Sequence, residues 1–179
     1  AGPVVAAAVV LEQGRFPPGL DDSKKLTPRR RAALFDAIRA TASVGVGIAS
    51  VEEIDALNIL RANDLAMARA IGALDPAPDA ALIDGNRVPP GLPCRGLALV
   101  GGDGRSLSIA AASIIAKVTR DRIMEELAGA HPGYGWERNR GYGTAEHRAA
   151  LIRLGVTPHH RRSFRPIHNI LCGNREKLD

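Results

Sequence analysis

The sequence predicts an α/β fold in which helices flank a mixed β-sheet, and three observations support this class. Short apolar runs of Val, Ala, Ile and Leu alternate with longer segments of helical periodicity, which is the pattern of strands joined by helices. A length of 179 residues suits one domain with a sizeable core. Aromatic residues make up only 3% of the chain, so this core has to be built from aliphatic side chains.

The first half of the chain is predicted to form two strands and two helices. Their expected bounds, in chain order, are 3–11, 28–40, 44–49 and 50–74. Thr27 and Pro28 supply an N-cap and a proline at the first helical position. Ser50 and Glu53 have the spacing of a capping box, from which one long helix is expected to run. The glycines of the second strand predict close backbone contact or a bulge.

The second half is predicted to contain two short strands, a central helix and a last helix. The strands are expected at 80–83 and 97–100, and the last helix at 145–154. The central helix begins near Leu107, and small or aliphatic side chains on nearly all sides predict that it is buried. Glycine-rich loops follow Ala128, and the polar tail from Thr157 is expected to hold little structure.

A thin polar stripe runs along the central helix. Steps of 7, 4 and 4 residues place its members on one helical face, and they are Ser106, Ser113, Lys117 and Asp121. One interpretation is that the stripe faces a polar partner. The other, which is the commoner arrangement, is that the stripe is satisfied within the protein, with Lys117 and Asp121 as an i,i+4 ion pair.

Charge and composition narrow the function classes. A net charge of +5 and a pI of about 9.8 favour a polyanionic partner such as nucleic acid. Cys94 and Cys172 are too few for a disulfide framework or a zinc site, so a cytoplasmic setting is expected. No apolar run approaches the roughly 20 residues that span a bilayer, and we expect a monomer without membrane association. Because Ala1 opens the chain inside an apolar segment, we expect further residues upstream.

Asp84 and Asp103 share a local pattern, since each follows an apolar strand and precedes a glycine. Functional groups of α/β folds collect at the carboxyl ends of strands, so these two acids are candidates to converge. Converging carboxylates suit a hard divalent cation such as Mg²⁺ or Mn²⁺. The alternative is that Asp84 is a turn residue and that Asp103 is a helix-start acid stabilised by the helix dipole.

Cationic side chains accompany the two acids. They are Lys24, Lys25, Arg105, Lys117, Arg120, Arg140, His160, Arg161 and Arg162. Cations of this kind suit a phosphodiester substrate, although each one alone is more often a solvated surface charge. Tyr134 and Tyr142 lie in glycine-rich loops, where a ring either packs against a sugar or base or anchors the loop. No Walker A, Gly-x-Ser-x-Gly or dinucleotide-binding pattern is present.

Several longer stretches carry a family resemblance. They are AGPVVAAAVV at 1–10, DDSKKL at 21–26, GVGIAS at 45–50, LNIL at 57–60, IDGN at 83–86, GDGRSLSIAAASIIAKVTRDRIM at 102–124, HPGYGW at 131–136, GYGTAEH at 141–147 and HRRSF at 160–164. They occur in the order typical of bacterial ribonuclease HII, the type 2 ribonuclease H family. The sequence is therefore identified as a member of that family.

The resemblance implies a ribonuclease H-like catalytic domain over residues 1–167 and a C-terminal tail at 168–179. It implies endonucleolytic hydrolysis of the RNA strand of RNA/DNA hybrids and incision at ribonucleotides embedded in duplex DNA. The implied chemistry is two-metal-ion catalysis with Mn²⁺ or Mg²⁺, which leaves 3′-hydroxyl and 5′-phosphate ends. Asp84 and Asp103 resemble the third and fourth of four family carboxylates, and we predict that both are catalytic metal ligands.

Nucleic-acid contacts are predicted for a further set of residues. They are Lys24, Lys25, Arg105, Lys117, Arg140, Tyr142 and Arg161. Among them, Tyr142 resembles the tyrosine that packs at the junction between ribonucleotide and deoxyribonucleotide. Lys24 and Lys25 match basic positions suited to the nucleic-acid backbone. Arg140 departs from the family, in which lysine is common at this position, so the charge persists with a different donor geometry.

A larger departure lies at the start of the chain. In the family, AGPVV follows a strand that ends in Asp-Glu-Ala-Gly-Arg-Gly and supplies the first two carboxylates, and the present sequence lacks this segment. We therefore expect a sheet without its first strand, with exposed apolar surface and unpaired backbone. We also expect little or no cleavage by this chain. The alternatives are a non-catalytic module that binds hybrid duplexes and an unrelated metal-dependent phosphohydrolase of small substrates.

Overall fold

The computed structural model describes residues 1–173, and positions 174–179 of the predicted tail lie outside the described residues. The strands are β1 Val4–Leu11, β2 Ala42–Ala49, β3 Ala80–Asp84 and β4 Arg95–Leu99. The helices are α1 Pro28–Thr41, α2 Val51–Leu57, α3 Ile59–Gly72, α4 Leu107–Ala130, α5 Trp136–Asn139, α6 Ala145–Leu154 and α7 Arg165–Leu171. This element order confirms the predicted α/β class.

The described chain divides into two compact units. The first, here called the sheet unit, comprises Val5–Ile48 and Asn63–Thr119. The second, here called the helical unit, comprises Ala1–Val4, Ala49–Ala62 and the chain from Arg120 onward. The strands pair as two separate two-stranded sheets, β1 with β2 and β3 with β4. Strands β3 and β4 run parallel, with Ala80 opposite Arg95 and Asp84 opposite Leu99.

The sheet unit has a close-packed aliphatic core. Leu34, Phe35 and Ile38 of α1 pack with Ile114 and Ile115 of α4, which confirms the predicted burial of the central helix.

The glycines of β2 bring that strand against the backbone of α3. A Cβ atom on Gly45 would lie 2.0 Å from the Ala70 carbonyl oxygen, and one on Gly47 would lie 2.0 Å from that of Ala66. Of the two interpretations offered for these glycines, the structure shows close backbone contact.

An apolar cavity of about 750 Å³ lies within the sheet unit. Its walls include 5–11 of β1 and 80–84 of β3, together with Met67 and Ile71 of α3 and Ile109 of α4. Strands β1 and β3 belong to different sheets, so no ladder of hydrogen bonds joins them in the described chain. The prediction that the sheet of this family has a further, first strand stays a prediction.

The prediction of a single helix over 50–74 is wrong, because Asn58 separates two helices, α2 and α3. Ser50 and Glu53 form the expected capping box at the start of α2. Asn58 then adopts a left-handed φ of 71°, and its side-chain oxygen accepts hydrogen bonds from the amides of Leu60 (3.0 Å) and Arg61 (3.2 Å). Asparagine tolerates this conformation and caps the next helix, so α3 starts afresh.

The prediction of little structure after Thr157 is also wrong in part, because α7 occupies Arg165–Leu171. Ile167 and Ile170, three residues apart, bury one face of α7 in a cluster with Met124, Trp136 and Leu151. The predicted boundary at 167/168 falls inside this helix, and the division into domain and tail stays a prediction. Among the described residues, no helix has the length and apolar character needed to cross a bilayer.

Candidate active site

Asp84 occupies the carboxyl end of β3, where the sequence pattern predicts a functional acid. The amide of Gly85 donates to the Leu99 carbonyl (3.1 Å), so the ladder with β4 continues just beyond the acid. Gly85 has a φ of 124°, which turns the chain away immediately after Asp84. The Asp84 carboxylate is therefore held at an exposed strand end rather than in the core.

Asp103 lies in a short 3₁₀ turn at Gly102–Gly104, which two residues separate from the start of α4. The amide of Gly102 donates to the Asp84 carboxylate at 2.9 Å. A Cβ atom on Gly102 would lie 3.3 Å from the same carboxylate oxygen and 2.5 Å from the Ile109 side chain. Glycine at this position therefore lets the turn that carries Asp103 approach Asp84, and the two sequence-predicted acids lie on directly hydrogen-bonded segments.

This donor set fits part of a site for a hard divalent cation. Carboxylate oxygens are the ligands that Mg²⁺ and Mn²⁺ prefer, completed by waters and substrate phosphate oxygens. In residues 1–173 no group of three or more His, Cys, Asp or Glu side chains is arranged to hold a metal ion. That Asp84 and Asp103 are metal ligands stays a prediction.

An ion pair that the sequence analysis did not single out fixes the loop after Asp84. Asp64 of α3 is buried, with 7% of its side chain exposed, and it pairs with Arg87, which follows the Ile83–Asn86 segment. Arg87 is partly exposed, but the Asp64 carboxylate would be buried without a cation if Arg87 moved away. This cost holds Arg87, and with it the loop, against α3. The sequence does contain a sign of this pair, since Asp64 is an acid on the apolar side of a predicted helix.

The polar stripe of the central helix is satisfied within the protein where its contacts are described. The Ser113 hydroxyl donates to the Ala110 carbonyl (2.8 Å) and accepts a hydrogen bond from the Ser23 amide (3.4 Å). Ser106 contacts the hydroxyl of Ser108 at 2.9 Å. Lys117 is half-buried on the same helix, and its predicted contact with nucleic acid stays a prediction.

The loop before α1 presents the two predicted lysines to solvent. The Asp22 carboxylate accepts the Lys24 amide at 2.9 Å, which shapes the turn. Arg31 donates to the carbonyls of Ser23 (2.8 Å) and Leu26 (2.5 Å) and fixes the loop on α1. The Lys24 and Lys25 side chains stay exposed, and Lys25 makes only a surface contact with Asp21 at 3.4 Å.

The other arginines predicted to contact nucleic acid already interact with groups of the protein. The exposed Arg105 donates to the Val100 carbonyl (3.3 Å). Arg140 pairs with Glu125 at 2.6 Å, while its second terminal nitrogen is buried without a hydrogen-bond partner. Arg161 donates to the carbonyls of Gly2 (2.9 Å) and Pro3 (3.3 Å). Burial, followed by repulsion from Arg120, lowers the pKa of Arg161 to about 10. Contact of these residues with nucleic acid stays a prediction.

The two loop tyrosines have different environments. Tyr134 is buried, and its hydroxyl donates to the Gly155 carbonyl at 2.9 Å, so this ring is a loop anchor. Tyr142 is 61% exposed and lies over the guanidinium of Arg120, 5.3 Å from the ring centroid. Of the two interpretations offered for these rings, anchoring describes Tyr134. The ring of Tyr142 is open to solvent, and its contact with a sugar or base stays a prediction.

Two buried histidines behind Tyr142 give the helical unit an acid-labile core. Burial lowers the pKa of His160 to about 3 and also lowers that of His147. Neighbouring titratable groups are His159, Glu146 and the amino group of Ala1, whose pKa burial lowers to about 5. An unfolded chain with imidazoles titrating near 6.5 binds more protons than the folded chain, so stability is lost as the pH falls from about 6.5 towards 3.

We expect His160→Gln to flatten this pH dependence. The glutamine amide can still donate to His147 but does not ionise. The measurement is the denaturant midpoint at several pH values between 7 and 4, followed by emission of Trp136, the single tryptophan. The matched control is His168→Gln, at an exposed histidine, which should keep the wild-type slope. An unchanged slope for His160→Gln would contradict the assignment.

Comparison with known proteins gives a consistent result. The family described as Ribonuclease HII matches residues 1–167. Ribonuclease HII of Ruegeria pomeroyi is 67% identical over 171 residues, which cover 96% of this chain and 73% of that protein. The crystal structure of ribonuclease H2 from Pyrococcus horikoshii OT3 superposes with a TM-score of 0.74 at 26% identity, covering 98% of this chain and 95% of that one.

A more distant structure shares the fold alone. Bst-RNase HIII, solved in complex with Mn²⁺, superposes with a TM-score of 0.73 at 21% identity. The alignment covers 98% of the present chain and 66% of that protein. The ribonuclease H-like fold predicted from the sequence is thereby confirmed.

Proposed function

The chain belongs to the ribonuclease HII family, a family of metal-dependent endoribonucleases. We propose that its activity, when all four carboxylates of the family are present, is hydrolysis of the RNA strand of RNA/DNA hybrids and incision at ribonucleotides embedded in duplex DNA. The observation that supports this proposal most strongly is the hydrogen bond between the Asp84 carboxylate and the Gly102 amide, next to Asp103. This contact joins the Asp84 carboxylate to the turn that carries Asp103. The products would carry 3′-hydroxyl and 5′-phosphate ends.

In this proposal Asp84 and Asp103 hold divalent cations, either Mn²⁺ or Mg²⁺, in a two-metal site. Bound cations of this kind supply a water of lowered pKa and stabilise charge on the leaving oxygen. The protein contributes the orientation of the carboxylates, through Gly102, and the fixed loop after β3, through Asp64 and Arg87. Bst-RNase HIII, which has the same fold, was solved in complex with Mn²⁺, in line with a divalent cation at this site.

We assign substrate binding to two exposed lysines and to the exposed ring of one tyrosine. The exposed Lys24 and Lys25 would contact phosphates, and the exposed face of Tyr142 would pack against a sugar or base. A 2′-hydroxyl distinguishes RNA from DNA at the cleaved nucleotide.

We further infer that the protein acts as a monomer in the cytoplasm.

We expect the 179-residue chain itself to cleave slowly or not at all, because it contributes two of the carboxylates that the family uses. The measurement is cleavage of a labelled RNA/DNA hybrid with Mn²⁺ or Mg²⁺, compared with a DNA duplex of the same sequence. Robust Mn²⁺-dependent cleavage of the hybrid would show that Asp84 and Asp103 suffice. Cleavage of the DNA duplex at an equal rate would exclude the proposed substrate.

A non-catalytic module that binds hybrids is the second candidate. It is favoured by the lack of a three-ligand metal cluster in the described residues. Hybrid binding measured with and without Mg²⁺, over a series of salt concentrations, separates the two. Affinity that ignores metal and falls steeply with salt indicates a module held by phosphate contacts. Affinity that rises with metal supports the enzyme.

A further inference from the structure

Tyr142 is exposed yet placed between two glycines, so its orientation depends on contacts to its backbone. Gly141 has a φ of 78°, and a Cβ atom there would lie 2.7 Å from the Ala1 carbonyl oxygen. The Tyr142 amide donates to the Asn139 carbonyl at 2.9 Å. Its own carbonyl accepts two donors, the Thr144 amide at 2.9 Å and the Nδ1 of His147 at 2.9 Å.

The second of these donors belongs to a chain of buried imidazoles. His147 and His160 are 3% and 1% exposed, and their Nε2 atoms lie 3.0 Å apart. The Nδ1 of His160 accepts the Thr157 amide at 3.0 Å, and the Nε2 of His147 accepts the Trp136 indole N–H at 3.0 Å. No member of this network carries a formal charge when both imidazoles are neutral.

These contacts leave one proton arrangement for the neutral pair. Because the Thr157 amide can only donate, the Nδ1 of His160 is bare and its proton resides on Nε2. The Nε2 of His147 is bare as well, because the Trp136 indole N–H can only donate to it. Its single lone pair is shared between that N–H and the Nε2–H of His160. The His147 proton then resides on Nδ1 and is donated to the Tyr142 carbonyl, which can only accept. The hydrogen bonds thus run in one direction from Thr157 to the Tyr142 backbone.

We propose that His147 and His160 are positioning residues, which orient Tyr142 through its carbonyl so that its ring can pack on the nucleic acid. The proposal rests on the proposed function, in which Tyr142 contacts the hybrid. The ring is supported from below by Arg120, which is itself held by the carbonyls of Ala1 (3.2 Å) and Arg140 (3.0 Å). The backbone contact and the ring contact together hold one face of Tyr142 towards solvent.

Two substitutions of His147 separate the halves of the network. In His147→Asn the amide nitrogen occupies the region of Nδ1 and can still donate to the Tyr142 carbonyl, but nothing replaces Nε2. In His147→Gln the amide reaches the region of Nε2 and can accept from Trp136, but nothing replaces Nδ1. Both variants keep a polar side chain of similar size in the same buried place, so each is the control for the other.

The first measurement needs no nucleic acid. The chain has two tyrosines, so fluorotyrosine labelling gives two ¹⁹F resonances, one from the buried Tyr134 and one from Tyr142. In the wild type and in His147→Asn we expect the chemical shift of the Tyr142 resonance to differ from the random-coil value. In His147→Gln we expect this chemical shift to move to the random-coil value and the line to become narrower. The Tyr134 resonance reports that the core is folded. A random-coil Tyr142 resonance in the wild type would overturn the positioning role.

The second measurement is affinity for a labelled RNA/DNA hybrid in metal-free buffer. Tyr142→Ala should weaken binding by roughly 5- to 150-fold, the range for loss of one stacking contact. We expect His147→Gln to approach this loss and His147→Asn to stay within about twofold of wild type. The double variant His147→Gln/Tyr142→Ala should bind no more weakly than Tyr142→Ala alone.

The outcomes distinguish this inference from the proposed function. A tenfold loss from His147→Gln that persists in the Tyr142→Ala background would show that His147 affects binding independently of Tyr142, and would overturn the positioning role. Equal losses in His147→Asn and His147→Gln would overturn it too. If the ¹⁹F results hold but the wild type binds no hybrid, or Tyr142→Ala binds as well as the wild type, the positioning stands and the proposed contact with nucleic acid fails.

Discussion

Replacement of Asp84 by asparagine is expected to weaken Mn²⁺ binding and to remove most hybrid cleavage. The asparagine side chain keeps the shape and can still accept the Gly102 amide, but it loses the negative charge that a hard cation requires. Because loss of a mere partner of a metal ligand costs about 10–100-fold in affinity or activity, loss of the ligand's charge should cost at least as much.

The measurement is Mn²⁺ titration of the 179-residue chain by calorimetry, with hybrid cleavage as the second readout in any form of the protein that cleaves. The matched control is Asp79→Asn, an exposed acid just before the other end of β3, which should bind Mn²⁺ as the wild type does. Unaltered Mn²⁺ affinity of Asp84→Asn would remove Asp84 from the metal site.

Substitution of Gly47 by alanine is expected to lower the free energy of unfolding strongly. Its Cβ atom would lie 2.0 Å from the Ala66 carbonyl oxygen and 2.5 Å from the Ala70 amide nitrogen. Both are backbone atoms of α3, so no side chain can rotate away. Overpacking typically costs 1–3 kcal/mol, and we expect at least about 3 kcal/mol here, which corresponds to a fall in Tm of roughly 6–12 °C.

Thermal unfolding followed by circular dichroism measures this effect. Gly72→Ala is the control, because it makes the same change at the end of α3, where a Cβ atom would meet nothing within 4 Å. Alanine is the better helix former, so Gly72→Ala should leave Tm unchanged or raise it slightly. A fall for Gly47→Ala no greater than for Gly72→Ala would mean that β2 and α3 separate freely.

The elements that the sequence predicts well are those with local causes. Thr27 with Pro28, and Ser50 with Glu53, begin helices where they are expected, because a cap acts within one turn of its own residues. The ends of β3 and the position of Asp84 follow from an apolar run and a glycine. The paired acids could be proposed because two strands end in the same pattern.

Other features depend on residues far apart in the chain. Asn58 could have continued a helix, and its capping of α3 required the left-handed backbone that the fold imposes. Asp64 and Arg87, 23 positions apart, form an ion pair in which the carboxylate is buried and the guanidinium is partly exposed to solvent. Neither outcome follows from the neighbours of these residues alone.

The two tyrosines show the division most clearly. Both follow a glycine in a similar loop, so sequence alone determined that each ring was a candidate for contact or for anchoring. The tertiary structure decided that Tyr134 is buried and Tyr142 exposed, and it joined His147 to His160 behind the exposed ring. Residue type and spacing determine which secondary structure forms and where acids and rings occur along it. Burial and hydrogen-bond partners are set by segments that meet only on folding, and these decide which of those groups become available to a ligand.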